Sequence, residues 1–344
     1  MSPTTMMVLT SSLATGTIIT ASSYHWLFAW IGLEMNTLAI IPMISTQHHP
    51  RATEAATKYF LTQSAASALI LFSSTLNAWQ TGSWDIMQLN NTMSSVLLTA
   101  ALAMKLGLVP MHFWLPEVLQ GSTMMTALII STWQKLAPMA LMYMTAHTLS
   151  TTTLLTLALL STTLGGWGGL NQTQLRKIMA YSSIAHIGWM AAISTLMKDI
   201  MALNLMLYVF MTTSMFLALM MSKSKTIKDV ATALTTSPPL TVIMMLTLLS
   251  LGGLPPMTGF LPKWLVLKEL TMQGLMLTST VLALSSLLSL FFYLRLSYTT
   301  SLTTAPNLQM TKHKWRFKPT HNTLLMTTLT PLTLMLLPLA PLTL

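Results

Sequence analysis

Of 344 residues, 17 are Lys or Arg and 7 are Asp or Glu, so only 7% carry formal charge. Soluble domains carry about 25%. With 53% apolar residues and a mean hydropathy of +0.63, the chain cannot clothe a globule of its size in hydrated side chains, and it belongs in lipid. Cysteine is absent, which excludes disulfides, thiolate-held iron–sulfur clusters and cysteine zinc sites made by this chain. Any redox chemistry must take place in a partner. The net charge of +10 does not point to nucleic acid, because the Lys and Arg residues fall in short clusters between apolar runs rather than on one polar face. Met1 to Thr20 contains no Lys or Arg, so entry by a cleaved basic signal is not expected.

A spanning helix needs roughly 20 apolar residues to cross about 30 Å of hydrocarbon. About eleven candidates follow in chain order: 3–21, 24–44, 54–79, 92–110, 122–145, 150–170, 174–197, 200–221, 238–258, 275–297 and 322–342. Connectors between them are short. The longest, 298–321, is too small for a folded nucleotide-binding domain, and the sequence has no phosphate-binding glycine motif. Arg51, then Arg176 and Lys177, then Lys223, Lys225 and Lys228, then Lys312, Lys314, Arg316 and Lys318 all fall in connectors of one side. The other side carries Asp85 and the balanced pair Lys198 and Asp199, and only Lys263, Lys268 and Glu269 dilute the bias. Basic residues favour the inside, so the N-terminus and basic loops are expected in that compartment.

Two stretches repeat. Leu106-Gly107-Leu108-Val109-Pro110 leads to Phe113-Trp114-Leu115-Pro116-Glu117, and Leu251-Gly252-Gly253-Leu254-Pro255 leads to Phe260-Leu261-Pro262-Lys263, with 145 residues between the leading leucines. Gly and Pro break helices, and breaks at membrane depth are tolerated only inside protein or beside a wet cavity. Five segments separate the copies, and an odd number implies an inverted-topology repeat with broken helices 4 and 9. Two ordinary proline-capped helix ends are the alternative.

Glu34 and Lys135 lie near the middle of their segments, Lys105 just before the first break and Lys263 just after the second. A charge at the centre of a spanning helix costs about 2.5–3.5 kcal/mol on insertion scales, so such residues usually face a protein interior and have a role. A Glu34–Lys105 brace would be a structural explanation for two of them, but it leaves Lys135 without a carboxylate. His186, after Tyr181, Ser182 and Ser183, could relay protons near neutral pH or be a satisfied core residue. His112 lies in the first broken motif, as a proton entrance or a loop residue. Lys58 and Arg295, near segment ends, can snorkel, and Glu54 can pair with Lys58 at i, i+4. His48-His49 lack a carboxylate cluster for a metal, and no pair of deep histidines suits haem. Trp26, Trp30, Trp79 and Trp84 suit interfacial belts.

Glu34, Lys105, Lys135, Lys263 and the runs His112-Phe113-Trp114-Leu115-Pro116-Glu117, Asn171-Gln172-Thr173-Gln174 and Ala180-Tyr181-Ser182-Ser183-Ile184-Ala185-His186 resemble the proton-antiporter-like membrane subunits of respiratory Complex I. The resemblance implies an all-α membrane protein, with a first five-helix repeat over 1–147, an inverted one over 148–297, and a basic loop and last helix over 298–344. It implies proton translocation with Glu34 and Lys105 as a coupled pair, Lys135 as the central lysine, Lys263 as the terminal one and His112 and His186 as relays. It places NADH, FMN, iron–sulfur clusters and ubiquinone in partner subunits, with none bound by this chain. Partners would be the neighbouring antiporter-like subunits and lipids such as cardiolipin, in the mitochondrial inner membrane with the basic loops in the matrix and the C-terminus on the opposite side. Bacterial relatives typically have fourteen helices, so three preceding the repeat are missing here. A self-contained cation/proton antiporter and a structural anchor remain as alternatives.

Overall fold

A computed structural model of the chain describes residues 2–47, 49–301 and 323–339. His48 and the basic cluster Lys312, Lys314, Arg316 and Lys318 lie outside the described residues. The described chain is helical throughout: α1 (Pro3–Ser22), α2 (Trp26–Ile44), α3 (Pro50–Thr81), α4 (Thr92–Leu106), α5 (Trp114–Gly121), α6 (Met124–Ser131), α7 (Trp133–Met144), α8 (Thr151–Gly169), α9 (Leu175–Ile193), α10 (Lys198–Ser222), α11 (Ile227–Thr236), α12 (Pro238–Gly252), α13 (Phe260–Met272), α14 (Met276–Ser301) and α15 (Leu324–Leu334). Four of these, α1, α2, α10 and α14, are long and apolar enough to cross a membrane unaided, and α4, α12 and α15 are shorter apolar helices.

Threonine and serine reach lipid depth by hiding their hydroxyls. Thr10 and Thr17 of α1 donate to carbonyls three or four residues back, as do Ser73 in α3 and Ser161 in α8. Back-bonding satisfies the side chain within its own helix. The Thr-rich first segment can therefore run as a 20-residue helix without leaving its hydroxyls bare. Helix α1 packs on α2, α3 on α4 and α8 on α9, while α14 covers α8 and α12. Gly188 lets α9 approach α8 closely: a Cβ there would lie 2.7 Å from Thr162 Cγ2 and 3.1 Å from the Ala158 carbonyl.

Three expected segments and one connector differ in the structure. The fourth stops at Leu106, where Gly107 takes a left-handed φ of 79° and caps the helix, and α5 starts after a turn. The ninth stops likewise at Gly252, capped by Gly253 at φ 75°, before α13. Each turn holds a cis X-Pro bond, Val109–Pro110 and Pro255–Pro256. Matching the caps sets the two motifs 146 residues apart, not 145, because Gly252 is still helical and Gly253 is the residue that must turn. The fifth segment is broken too, at Thr132 between α6 and α7. The basic connector after α10 contains α11, begun by a capping box in which the Asp229 carboxylate accepts from the Thr226 amide at 2.8 Å.

Trp26 is not in an interfacial belt. It is 1% exposed, and its indole N–H donates to the Asp85 carbonyl at 3.2 Å, which pins the start of α2 to the turn after α3. Trp79, 85% exposed, keeps the belt reading open.

Candidate functional site

Lys105 is placed by the last turn of α4 and Lys135 by the first turn of α7. Both line one small cavity with Thr37, Tyr59, Gln63 and Gln134, with room for about one water molecule. Gln134 ties the cavity wall to α2 by donating to the Asn36 carbonyl at 3.0 Å.

Glu34 does not close an ion pair with Lys105. Glu34 Oε2 and Lys105 Nζ are both buried, and neither has a hydrogen-bond partner among the described residues. Their relation is electrostatic and acts across space, with Tyr59 also in the field of the Glu34 carboxylate. An unpartnered ammonium 6% exposed is costly unless water or a partner reaches it, and the adjacent cavity supplies the place for that water.

Lys135 has a partner that the sequence reading missed. Its ammonium, 3% exposed, donates to the Tyr208 hydroxyl at 3.1 Å and lies 5.0 Å from the centre of that ring. The helix break makes this possible. In a continuous helix the Lys135 amide would bond the Ser131 carbonyl, but here it bonds Thr132 at 3.3 Å, and the freed Ser131 carbonyl accepts from the Tyr208 hydroxyl at 3.0 Å. A tertiary hydrogen bond from α10 therefore replaces a helical one.

Beyond Tyr208 the polar line continues. The His186 ring centre is 5.5 Å from that of Tyr208, and its Nε2 is 3.5 Å from the Tyr293 hydroxyl of α14. His186 lies in the fields of both Lys135 and Lys263. Lys263, 9% exposed in the first turn of α13, donates to the Gly252 carbonyl at 2.7 Å. Lys105 and Lys135 thus share one cavity, Lys135 bonds Tyr208, Tyr208 and Tyr293 both lie beside His186, and Lys263 acts on His186 through its charge. The only sequence signal for the tyrosines was a phenol in the middle of an otherwise apolar run, which in lipid demands a partner.

His112 stands off this path. It is buried in the turn before α5, with Nδ1 3.3 Å from the Pro110 carbonyl and its ring against Phe113. Lys58 pairs with Glu54 at 2.5 Å, as expected, and also with Glu117 of α5 at 2.6 Å. The Arg295 guanidinium donates to the Leu170 carbonyl and, at 2.6 Å, to the Gln172 carbonyl of the α8–α9 turn. Among the described residues no group of three His, Asp or Glu could hold a metal ion.

The sequence profile of the NADH:quinone oxidoreductase/Mrp antiporter transmembrane family matches residues 23–291, and that of the NADH dehydrogenase subunit 2 C-terminus matches 290–344. NADH-ubiquinone oxidoreductase chain 2 of Latimeria chalumnae is 56% identical over 99% of this chain and 98% of its own length. The Xenopus laevis protein of the same name is 55% identical over the full length of both. A chain of respiratory complex I from Thermus thermophilus superposes with a TM-score of 0.85 at 27% identity, covering 97% of this chain and 78% of that one. At 18% identity, a chain of the Mrp complex from Dietzia sp. DQ12-45-1b shares the fold, with a TM-score of 0.76 over 85% of this chain and 59% of the other.

Proposed function

The chain belongs to the NADH-ubiquinone oxidoreductase chain 2 family and is a membrane-arm subunit of Complex I that serves proton translocation, and from that premise we propose which of its residues move the proton. The observation that carries the reading is the succession of buried groups Lys135, hydrogen-bonded to Tyr208, and His186, its ring centre 5.5 Å from that of Tyr208, with Lys105 beside Lys135 in one cavity and Lys263 in the electrostatic reach of His186. Protons enter from the basic-loop side at Lys105, pass to Lys135, cross by way of His186 and leave near Lys263. His112 is an entrance residue beside the first break.

Glu34 sets the charge balance at the entry. At about 6 Å and an effective dielectric near 20, opposite charges attract by roughly 3 kcal/mol, about two pK units. A change in the Glu34 charge therefore makes Lys105 a readier donor without any contact between them. The two Gly/Pro motifs are read as the centres of inverted repeats, 1–147 and 148–297, each supplying a half-channel, with 298–344 as a trailing segment. The matching left-handed caps at Gly107 and Gly253 support this.

The subunit is read as non-redox, with NADH, FMN, iron–sulfur clusters and ubiquinone handled by partner subunits, and with no cysteine here to hold a cluster. Its place is the mitochondrial inner membrane, N-terminus and basic loops in the matrix and C-terminus opposite, beside other antiporter-like subunits and lipids such as cardiolipin. Lys135→Met in the assembled complex tests the route. Assembly and NADH oxidation are expected to persist while protons moved per electron fall. A normal ratio would leave the buried lysines as a brace.

A further inference from the structure

The Tyr208 hydroxyl has one proton to give, and its surroundings decide where that proton points. Two neighbours act on it at close range. Lys135 Nζ, 3.1 Å away, donates to the phenol oxygen, and the Ser131 carbonyl, 3.0 Å away, can only accept from it. The phenol proton is therefore aimed at a backbone carbonyl that leads nowhere. On its other side the ring faces His186 at 5.5 Å, and the Ser183 hydroxyl, one helical turn before His186, lies near the phenol while donating its own proton to the Ala180 carbonyl at 2.7 Å. Tyr208, Ser183, Lys135 and His186 are all buried.

We propose that the Tyr208 hydroxyl is the switch that joins the two halves of the polar line: aimed at the Ser131 carbonyl it blocks transfer, and turned about its C–O bond towards Ser183 and His186 it opens the way. The step balances without any further reactant. Lys135 gives a proton to the phenol oxygen as the phenol's own O–H bond breaks. The Ser183 hydroxyl turns from the Ala180 carbonyl, takes the released proton on its oxygen and gives up its own to the imidazole. Lys135 ends neutral, His186 ends protonated, and Tyr208 and Ser183 are unchanged. The ring need not move, which suits a fully buried side chain wedged between α9 and α7. The helix break at Thr132 is then part of the device, because an intact helix would occupy the Ser131 carbonyl and leave the closed state without its acceptor.

This proposal rests on the reading of Lys135 as a proton carrier, and the two fail differently. The test uses the whole complex in sealed vesicles, with Tyr208→Phe, Lys135→Met and the unaltered enzyme compared for protons moved per electron at equal NADH oxidation. Tyr208→Phe keeps the ring, its packing and its contact with the Lys135 charge, and removes only the hydroxyl. The switch predicts that its ratio falls to the level of Lys135→Met. If Lys135→Met lowers the ratio and Tyr208→Phe leaves it normal, the switch is overturned while the route stands. If neither lowers it, the route itself fails. Where Tyr208→Phe does not assemble, Ser183→Ala takes its place: it removes the bridging hydroxyl from a helix that needs no serine, and a lowered ratio with normal assembly supports the switch, whereas a normal ratio overturns it.

Discussion

Gly253 links backbone conformation to the terminal lysine, and Gly253→Ala tests that link. The residue holds φ at 75°, and a Cβ built there would lie 2.8 Å from Lys263 Cδ and 2.9 Å from both Cε and Nζ. Two costs follow. Placing an L side chain in the left-handed region costs about 1–2 kcal/mol. Pushing the lysine aside also strains its 2.7 Å bond to the Gly252 carbonyl, and a hydrogen bond from a charged group is worth about 1.5–3 kcal/mol. Losing both gives about 2.5–5 kcal/mol.

Gly82 supplies the control. It has nearly the same φ, 72°, and a Cβ there would meet nothing within 4 Å. Gly82→Ala should therefore show the backbone cost alone, about 1–2 kcal/mol, with pumping intact. Thermal dissociation of the assembled complex measures stability, and protons moved per electron measure the lysine. Gly253→Ala should lose more stability than Gly82→Ala and also lower the ratio. Equal destabilisation by the two changes, with normal pumping in both, would mean that Lys263 adapts freely and that its bond to Gly252 is incidental.

Two further outcomes follow from packing and charge. Gly188→Ala should lower the thermal stability of the complex by about 1–3 kcal/mol through overpacking, since the new methyl would press on Ser161, Thr162 and the Ala158 carbonyl; unchanged thermal dissociation would show that α8 and α9 can separate at no cost. Backbone amides of Lys225 and Thr226 donate to the Asp229 carboxylate and hold its pKa below the usual range, so its contribution to the start of α11 is present above the ordinary carboxylate pKa and is lost as pH falls through the depressed value. Hydrogen exchange at 225–230 should accelerate over that acid window and lose the pH dependence in Asp229→Asn; identical profiles in both proteins would sink the assignment.

The charges and the two glycine breaks were legible because each is a local contradiction with lipid. A lysine at mid-segment, or a Gly/Pro pair in an apolar run, needs an explanation within a few residues of itself. The break at Thr132 was not legible, because what sustains it is Tyr208, 76 positions further on, replacing a helical bond with a tertiary one. Lys135 looked unpartnered for the same reason: a search for carboxylates overlooks a phenol. Helix α11 had a local signal after all, the Thr226 to Asp229 capping spacing, hidden in a connector valued only for its lysines. The Glu34–Lys105 pair shows the reverse failure, since residue types and depths that suit an ion pair do not fix the contact between them.

The 146-residue register changes how the two motifs are compared. In that register Glu117 corresponds to Lys263, and Lys105 corresponds to Leu251. Each motif gives one lysine to the buried path, but the first gives it from the helix before the break and the second from the helix after it. The vacated positions differ as well: Leu251 fills core, while Glu117 turns out to Lys58. So the repeat preserves the cap, the turn and the following proline, which backbone geometry demands, and lets the charge migrate across the break. The two lysines consequently meet different surroundings. Lys105 faces a cavity with room for water and has no hydrogen-bond partner among the described residues, whereas Lys263 rests on a C-terminal carbonyl of α12, at the helix end whose dipole favours a cation. The two lysines are therefore held asymmetrically, one unpartnered and one on a helix end, even though each sits beside a copy of one motif.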